Sequence, residues 1–270
     1  MLPGRTVGRQ VSTPDGDRSY LLHIPDTPLF QRGLAGPSVP LFIVLHGSRA
    51  RGAAVREQSG MDSVADAHGV LVAYPDGRGG IFGVNTDWNA GDCCGEPQQA
   101  GVDDIAFLRR LVADVAARLP VDRHRIYVIG FSDGGRMAYR TACEMSSEVA
   151  AVAIVAGSLT TARCAPLRAV PTVAFHGTSD DEVLYGDSAH TAPRVVVSGA
   201  EALPPSVRFW LSANRCGSVM ERRVQNALIR FTGVRCAGDV TFFSVTGAGH
   251  AWPTPASPLI ADFLLAQRLP

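Results

Sequence analysis

The segment Gly130-Phe131-Ser132-Asp133-Gly134-Gly135 constrains this chain more than any other. Before it runs Arg125-Ile126-Tyr127-Val128-Ile129, rich in branched apolar side chains, and after it runs Arg136–Cys143, which reads as a helix. A strand that passes straight into a helix at a serine leaves little room. A Cβ on the flanking glycines would collide with the neighbouring strand or helix. The serine takes strained backbone angles, and its hydroxyl stands exposed above the sheet beside the positive end of the helix. In this strand–turn–helix setting, G-x-S-x-G is a nucleophile elbow.

Other apolar runs set the frame around it. Residues 40–47, 70–75, 125–132, 149–158, 172–177 and 240–246 are nearly continuous in branched apolar residues, as parallel strands buried on both faces are. Ser19–Ile24 reads as an outer strand. Asp103–Leu119 carries apolar residues at 105, 108, 111, 112, 115 and 119, close to a 3.6-residue period, with two acids at its start. Residues 204–214 and 258–267 are further helix candidates. The alternation predicts an α/β-hydrolase fold, a mostly parallel doubly wound sheet with helices on both faces. A single domain is expected over residues 1–270, with residues 1–17 peripheral. Residues 159–171 hold no helical insertion that would make a lid. Asp76–Gly101 is a long irregular segment of the kind that carries function.

Serine at its free pKa is a poor nucleophile and needs a base, which needs an orienting acid. In this fold the order is serine, acid, histidine, the last two in loops after strands. His250 follows the 240–246 strand in a glycine-rich loop. Asp180, Asp181 and Glu182 follow the 172–177 strand, and chemistry alone leaves the choice among them open. The oxyanion needs two donors: the N–H of Asp133 after the nucleophile, and one from the loop His46-Gly47-Ser48-Arg49. His46 precedes the nucleophile and reads as a support for that loop. His23, His68, His124 and His190 carry no motif and read as surface or capping residues.

Composition excludes several alternatives. The chain has no lysine; its 25 basic residues are all arginine. A P-loop lysine, a Schiff base and a Ser-Lys dyad are therefore impossible. The 25 acidic residues balance the charge, which argues against nucleic acid or an anionic membrane as the main partner. No apolar run is long enough to span a bilayer, and residues 1–20 lack the core of a signal peptide. Six cysteines lie at 93, 94, 143, 164, 216 and 236 without C-x-x-C or zinc spacing, so no metal is expected. An even count fits a disulfide-bearing exported protein, and buried free thiols in a cytosolic enzyme are the alternative. Cys216 and Cys236 flank one short excursion and are the best pair; the other four pair in any of three ways, a 93–94 bridge included.

Together the motifs resemble the extracellular polyhydroxybutyrate depolymerase-like and feruloyl esterase-like α/β-hydrolases of the LpqC type. The matching stretches are LHGS at 45–48, AYPDG at 73–77, WNAGDCCG at 88–95 and GVDDIAFLRRLV at 101–112. They continue with residues 121–144 around the elbow, AVAIVAGSL at 151–159, HGTSDDEVLY at 176–185 and GAGHAWP at 247–253. The resemblance implies Ser132, Asp180 and His250 as the triad and Ser48 as an oxyanion donor, and it makes Trp88 and the CCG stretch parts of the site wall. Trp88 and Trp252 either stack on an aromatic acyl group or pack the loop walls. Family members often carry Asn after the nucleophile, where this chain has Asp133.

The expectation is a serine esterase working through an acyl-enzyme without cofactor, on feruloyl-type or polyester substrates, small or polymeric. It is expected to be a monomer, secreted or in the cell envelope, with any leader absent from this chain. A prolyl-oligopeptidase-like peptidase and an acyltransferase share the same machinery. A non-catalytic binding protein on the same fold is the reading from another class.

Overall fold

The computed structural model describes residues 4–27, 37–79, 85–186 and 197–270. Ten strands form one sheet: β1 (Arg5–Thr13), β2 (Gly16–Ile24), β3 (Val39–Leu45), β4 (Leu71–Pro75), β5 (Val121–Phe131), β6 (Ala151–Val155), β7 (Thr172–Gly177), β8 (Ser218–Gln225), β9 (Leu228–Val234) and β10 (Val240–Val245). Their order across the sheet is β1-β2-β4-β3-β5-β6-β7-β10-β9-β8. The central six, from β4 to β10, run parallel, and antiparallel strands close both edges.

Seven helices are described: α1 (Gly52–Ser59), α2 (Met61–His68), α3 (Gly95–Gln99), α4 (Asp104–Ala116), α5 (Asp133–Glu144), α6 (Pro205–Ala213) and α7 (Ala256–Leu265). Alternation along β3 explains the layering, because successive side chains of a strand face opposite sides. Leu41, Ile43 and Leu45 join the core beneath α4, α5 and α6, with Leu108, Met137 and Trp210. Phe42 and Val44 join the core beneath α1, α2 and α7, with Val55, Met61 and Ile260. Strands buried on both faces read as unbroken apolar runs for that reason.

Residues 5–13, within the stretch expected to be peripheral, form a nine-residue strand at the sheet edge, paired along its whole length with β2. The α1–α2 pair and the β8–β9 hairpin had no counterpart in the predicted elements. One expectation is corrected. His23, expected at the surface, is buried; its ring nitrogens face Thr6 at 3.1 Å and Asp66 at 3.0 Å. His68 and His124 are exposed, and His190 lies outside the described residues.

Three disulfides join Cys93–Cys94, Cys143–Cys164 and Cys216–Cys236. The second anchors the segment between β6 and β7 to α5. The third closes a loop of 20 residues around the β8–β9 hairpin, a constraint worth about 3 kcal/mol through the unfolded chain.

Candidate active site

The site lies at the carboxyl ends of the parallel strands, where open α/β sheets bind ligands. There β3 ends at His46-Gly47-Ser48, β5 at Ser132, β7 before Asp180 and β10 before His250. At the elbow Ser132 has φ 56° and ψ −117°. A non-glycine residue holds such angles only where its surroundings enforce them. Here close packing does so: a Cβ on Gly130 would lie 1.9 Å from the Gly134 carbonyl oxygen, and one on Gly134 would lie 2.4 Å from the Leu45 oxygen.

His250 Nε2 is 2.9 Å from Ser132 Oγ, and His250 Nδ1 is 2.9 Å from Asp180 Oδ2. The acid at 180 is the one so placed, while the Asp181 side chain is exposed. Asp180 is buried and accepts N–H bonds from Glu182 at 3.1 Å and Val183 at 2.9 Å. Burial works against its charge, but the Val183 N–H and His250 outweigh it and hold the carboxyl below the usual range. The acid and base loops are joined directly. Ser179 N–H donates to the Ala248 carbonyl at 2.9 Å, and Gly247 N–H donates to Thr178 Oγ1 at 2.8 Å. Asp180→Asn would retain these backbone bonds but present an amide to His250 and disturb its tautomer. It is expected to lower kcat by about 10⁴-fold. Asp181→Asn is expected to stay near wild type in the same steady-state assay.

His176 was missed by sequence reasoning. Its Nε2 lies 2.7 Å from the Val183 carbonyl and 3.2 Å from Asp180 Oδ2. Two acceptors require that nitrogen to carry the proton, so His176 steadies Asp180 from behind. Burial lowers its pKa. Its only signal was its place ahead of Gly177 in the HGT stretch.

The segments expected to supply oxyanion donors, at Ser48 and Asp133, lie beside the nucleophile elbow. Asp133 opens α5, so its N–H is one of the helix's unpaired first-turn donors. A Cβ on Gly47 would lie 3.2 Å from Ser132 Cβ, which places the loop leading to Ser48 against the nucleophile. Ser48 Oγ donates to Asp87 Oδ1 at 2.5 Å, and Arg49 N–H donates to the same oxygen at 2.9 Å. That engages the Ser48 hydroxyl with Asp87. Asp87 too was missed, because it lies about forty positions from its partners.

His46 is buried beneath this loop. Its Nε2 accepts the Gly77 N–H at 2.8 Å, so Nδ1 carries the proton and donates to the Gly47 carbonyl at 2.7 Å. Burial lowers its pKa to about 4, keeping it neutral.

Of the two roles open to Trp88, stacking on substrate and packing the loop walls, the structure has the second: it is a buried clamp with 0% exposure. Its Nε1–H donates to the His46 carbonyl at 3.0 Å, and its backbone N–H donates to Asp133 Oδ2 at 2.9 Å. It therefore ties the oxyanion loop to the elbow. Beneath it, Arg18 pairs with buried Asp104 at 2.7 Å and lies over the Phe107 ring. Asp104 in turn accepts the Asn89 N–H at 2.8 Å, fixing the segment that carries Trp88. Trp252 is half-buried, with Nε1–H donating to Ser257 at 2.9 Å. The Phe131 ring lies 5.0 Å from His250 and 6.3 Å from Trp252, centre to centre. The Cys93 and Cys94 sulfurs and the Asp133 carboxylate cluster within 4.8 Å. Bridged sulfurs are not thiolates, so this set does not suit a metal.

The sheet order and the site's position at the strand ends define an α/β-hydrolase. The chain matches the family model described as esterase PHB depolymerase over residues 19–242, and it belongs to that family. It is 31% identical over 275 residues to NocK of Nocardia uniformis subsp. tsuyamanensis, covering 94% of this chain and 76% of NocK. It is 29% identical over 234 residues to feruloyl esterase B of Piromyces equi, covering 82% of this chain but 41% of that longer protein. Among solved structures, the ferulic acid esterase of Anaeromyces mucronatus superposes with TM-score 0.61 at 14% identity, over 97% of this chain and 90% of that one. The acetyl xylan esterase of Aspergillus awamori gives 0.68 at 13%, over 96% and 98%. The protein is a carboxylic ester hydrolase of the serine class.

Proposed function

We propose that Ser132, His250 and Asp180 are the catalytic triad, that the N–H groups of Ser48 and Asp133 form the oxyanion hole, and that the substrate is a feruloyl-type ester. The observation that carries the triad is the unbroken run of contacts, 2.9 Å from Ser132 Oγ to His250 Nε2 and 2.9 Å from Nδ1 to Asp180. Ser132 Oγ attacks the ester carbonyl while His250 Nε2 takes its proton. The tetrahedral oxyanion rests on the two N–H groups, which contribute roughly 3–4 kcal/mol each in well-studied hydrolases. Collapse breaks the bond to the alcohol, which leaves with the proton from Nε2. Water, activated by the same imidazole, then releases the acid. Asp180 holds Nδ1 protonated and stabilises the imidazolium that forms twice per turnover.

Support for an aromatic acyl group comes from the feruloyl esterase relative and from the half-buried Phe131 and Trp252 beside His250. Aromatic faces of this kind favour offset or edge contacts with a second ring. The three disulfides fit an exported enzyme. Purified protein is expected to turn over methyl ferulate faster than p-nitrophenyl octanoate. Clearing of a polyhydroxybutyrate suspension with little ferulate turnover would move the substrate to polyesters. Inactivity on every ester would refute the reading.

A further inference from the structure

Resting on that reading of the triad, we propose that Glu182 is a charge filter on the alcohol side of the ester, selecting against leaving alcohols that carry a carboxylate. Its Oε2 lies 3.9 Å from His250 Nε2, the nitrogen that faces Ser132 Oγ. Its backbone is fixed, since the Glu182 N–H donates to Asp180 Oδ1 at 3.1 Å. Its side chain is 70% exposed. An exposed carboxylate thus stands beside the imidazole, on a turn whose backbone is pinned to Asp180.

The position matters because of what passes it. In the acylation step the ester C–O bond breaks, its electron pair goes to the alcohol oxygen, and that oxygen takes the proton from Nε2. The leaving oxygen must therefore come within about 3 Å of Nε2. Groups near that oxygen on the alcohol enter the space beside Glu182, whereas the acyl chain, on the other side of the scissile bond, does not. An alcohol bearing its own carboxylate two carbons away, as a 3-hydroxyacid does, brings a second negative charge within roughly 4–8 Å of the first. At such separations, with the 70% exposed Glu182 carboxylate screened by solvent to between the near-surface and the bulk-water limits, the repulsion lowers the rate by about tenfold. Neutral alcohols escape it, and alcohols rich in hydroxyls can donate to the carboxylate instead. A polymer of hydroxyacids is then cut within the chain more readily than at a terminal unit with a free carboxylate.

The test compares two acetyl esters of closely matched shape, 3-acetoxybutyrate and 3-acetoxybutanamide, at pH 8 in one enzyme preparation. The readout is the ratio of their kcat/KM values. Any effect of Glu182 on His250 is shared by both esters and cancels, as does the fraction of folded enzyme. The ratio is expected to be well below one in the wild type, to rise about tenfold in Glu182→Gln, and to stay low in Asp181→Asn. Added salt, from about 10 to about 500 mM, should raise the wild-type ratio but not that of Glu182→Gln. An equal ratio in wild type and Glu182→Gln overturns the proposal. An equal rise in Asp181→Asn also overturns it, since the effect would then be general surface charge, and so does failure of the wild type on the neutral ester. Hydrolysis of p-nitrophenyl acetate marks the separate failure: if Ser132→Ala matches the wild type there, the triad reading itself falls.

Discussion

Ser132→Ala is expected to lower kcat on p-nitrophenyl acetate by roughly four to six orders of magnitude and to leave the thermal midpoint within a few degrees of wild type. The loss is large because the alcohol oxygen is the only atom that can carry the acyl group. The fold survives because alanine keeps the Cβ and removes a single contact, the 2.9 Å bond to His250 Nε2. Ser132 already holds φ at 56° through the packing of Gly130 and Gly134, and alanine meets the same constraint there. Steady-state kinetics and a melting curve check both halves. Activity within tenfold of wild type would remove Ser132 from its role.

Asp133→Asn is expected to stabilise the protein at pH 8 by about 4 kcal/mol, with the gain shrinking to nothing near pH 4. Asp133 is buried, and its Oδ1 has no hydrogen-bond partner. Burial first, then the neighbouring Asp87 charge, push its pKa to about 7, against the opposing pull of the Trp88 N–H and Arg136. Between the unfolded value near 4 and the folded value near 7, the native state holds a proton that the unfolded chain has released. Stability from this group is thus complete below pH 4 and is lost as pH rises to 7. Asparagine cannot ionise, can still accept from Trp88 through its carbonyl, and keeps the backbone N–H at the oxyanion position. His46 works in the opposite sense. Its folded pKa of about 4 lies below the unfolded 6.5, so its contribution is complete above pH 6.5 and fades as pH falls to 4. The wild type balances the two over the shared interval, and Asp133→Asn should uncover the acid loss from His46. Urea denaturation at pH 4, 6 and 8 reads this directly; parallel wild-type and variant profiles would refute it.

What could be read from the sequence follows from what the physics leaves in the sequence. The parallel strands were legible because burial on both faces demands unbroken apolar runs, and β3, β4, β5, β6, β7 and β10 all lie where such runs lie. β8, with Met220 and most of its neighbours exposed, has no buried face to leave a pattern. α1 and α2 are each eight residues long and hinge at Gly60, too short for a clear period. Ser132, Asp180 and His250 stood out because the fold sets their order and places each after a strand. Their supports did not. His176, Asp87 and the burial of Trp88 depend on partners brought from distant loops. The resemblance put Trp88 in the site wall and its aromatic type left stacking on substrate and packing of the loops both open; only the packing shows a clamp.

The chain of contacts from Arg18 through Asp104 and Asn89 to Trp88 has a practical consequence for dissecting this enzyme. The segment matched by the family model, 19–242, begins one residue after Arg18 and stops eight residues before His250. A protein trimmed to those limits would retain Ser132 and Asp180 while losing His250, the base of the proposed triad, and would leave Asp104 buried without its counterion. Breaking a buried pair this way costs about 3–5 kcal/mol. On the proposed triad, the smallest working unit of this esterase is therefore larger than the stretch by which its kinship is recognised, reaching at least from Arg18 to His250.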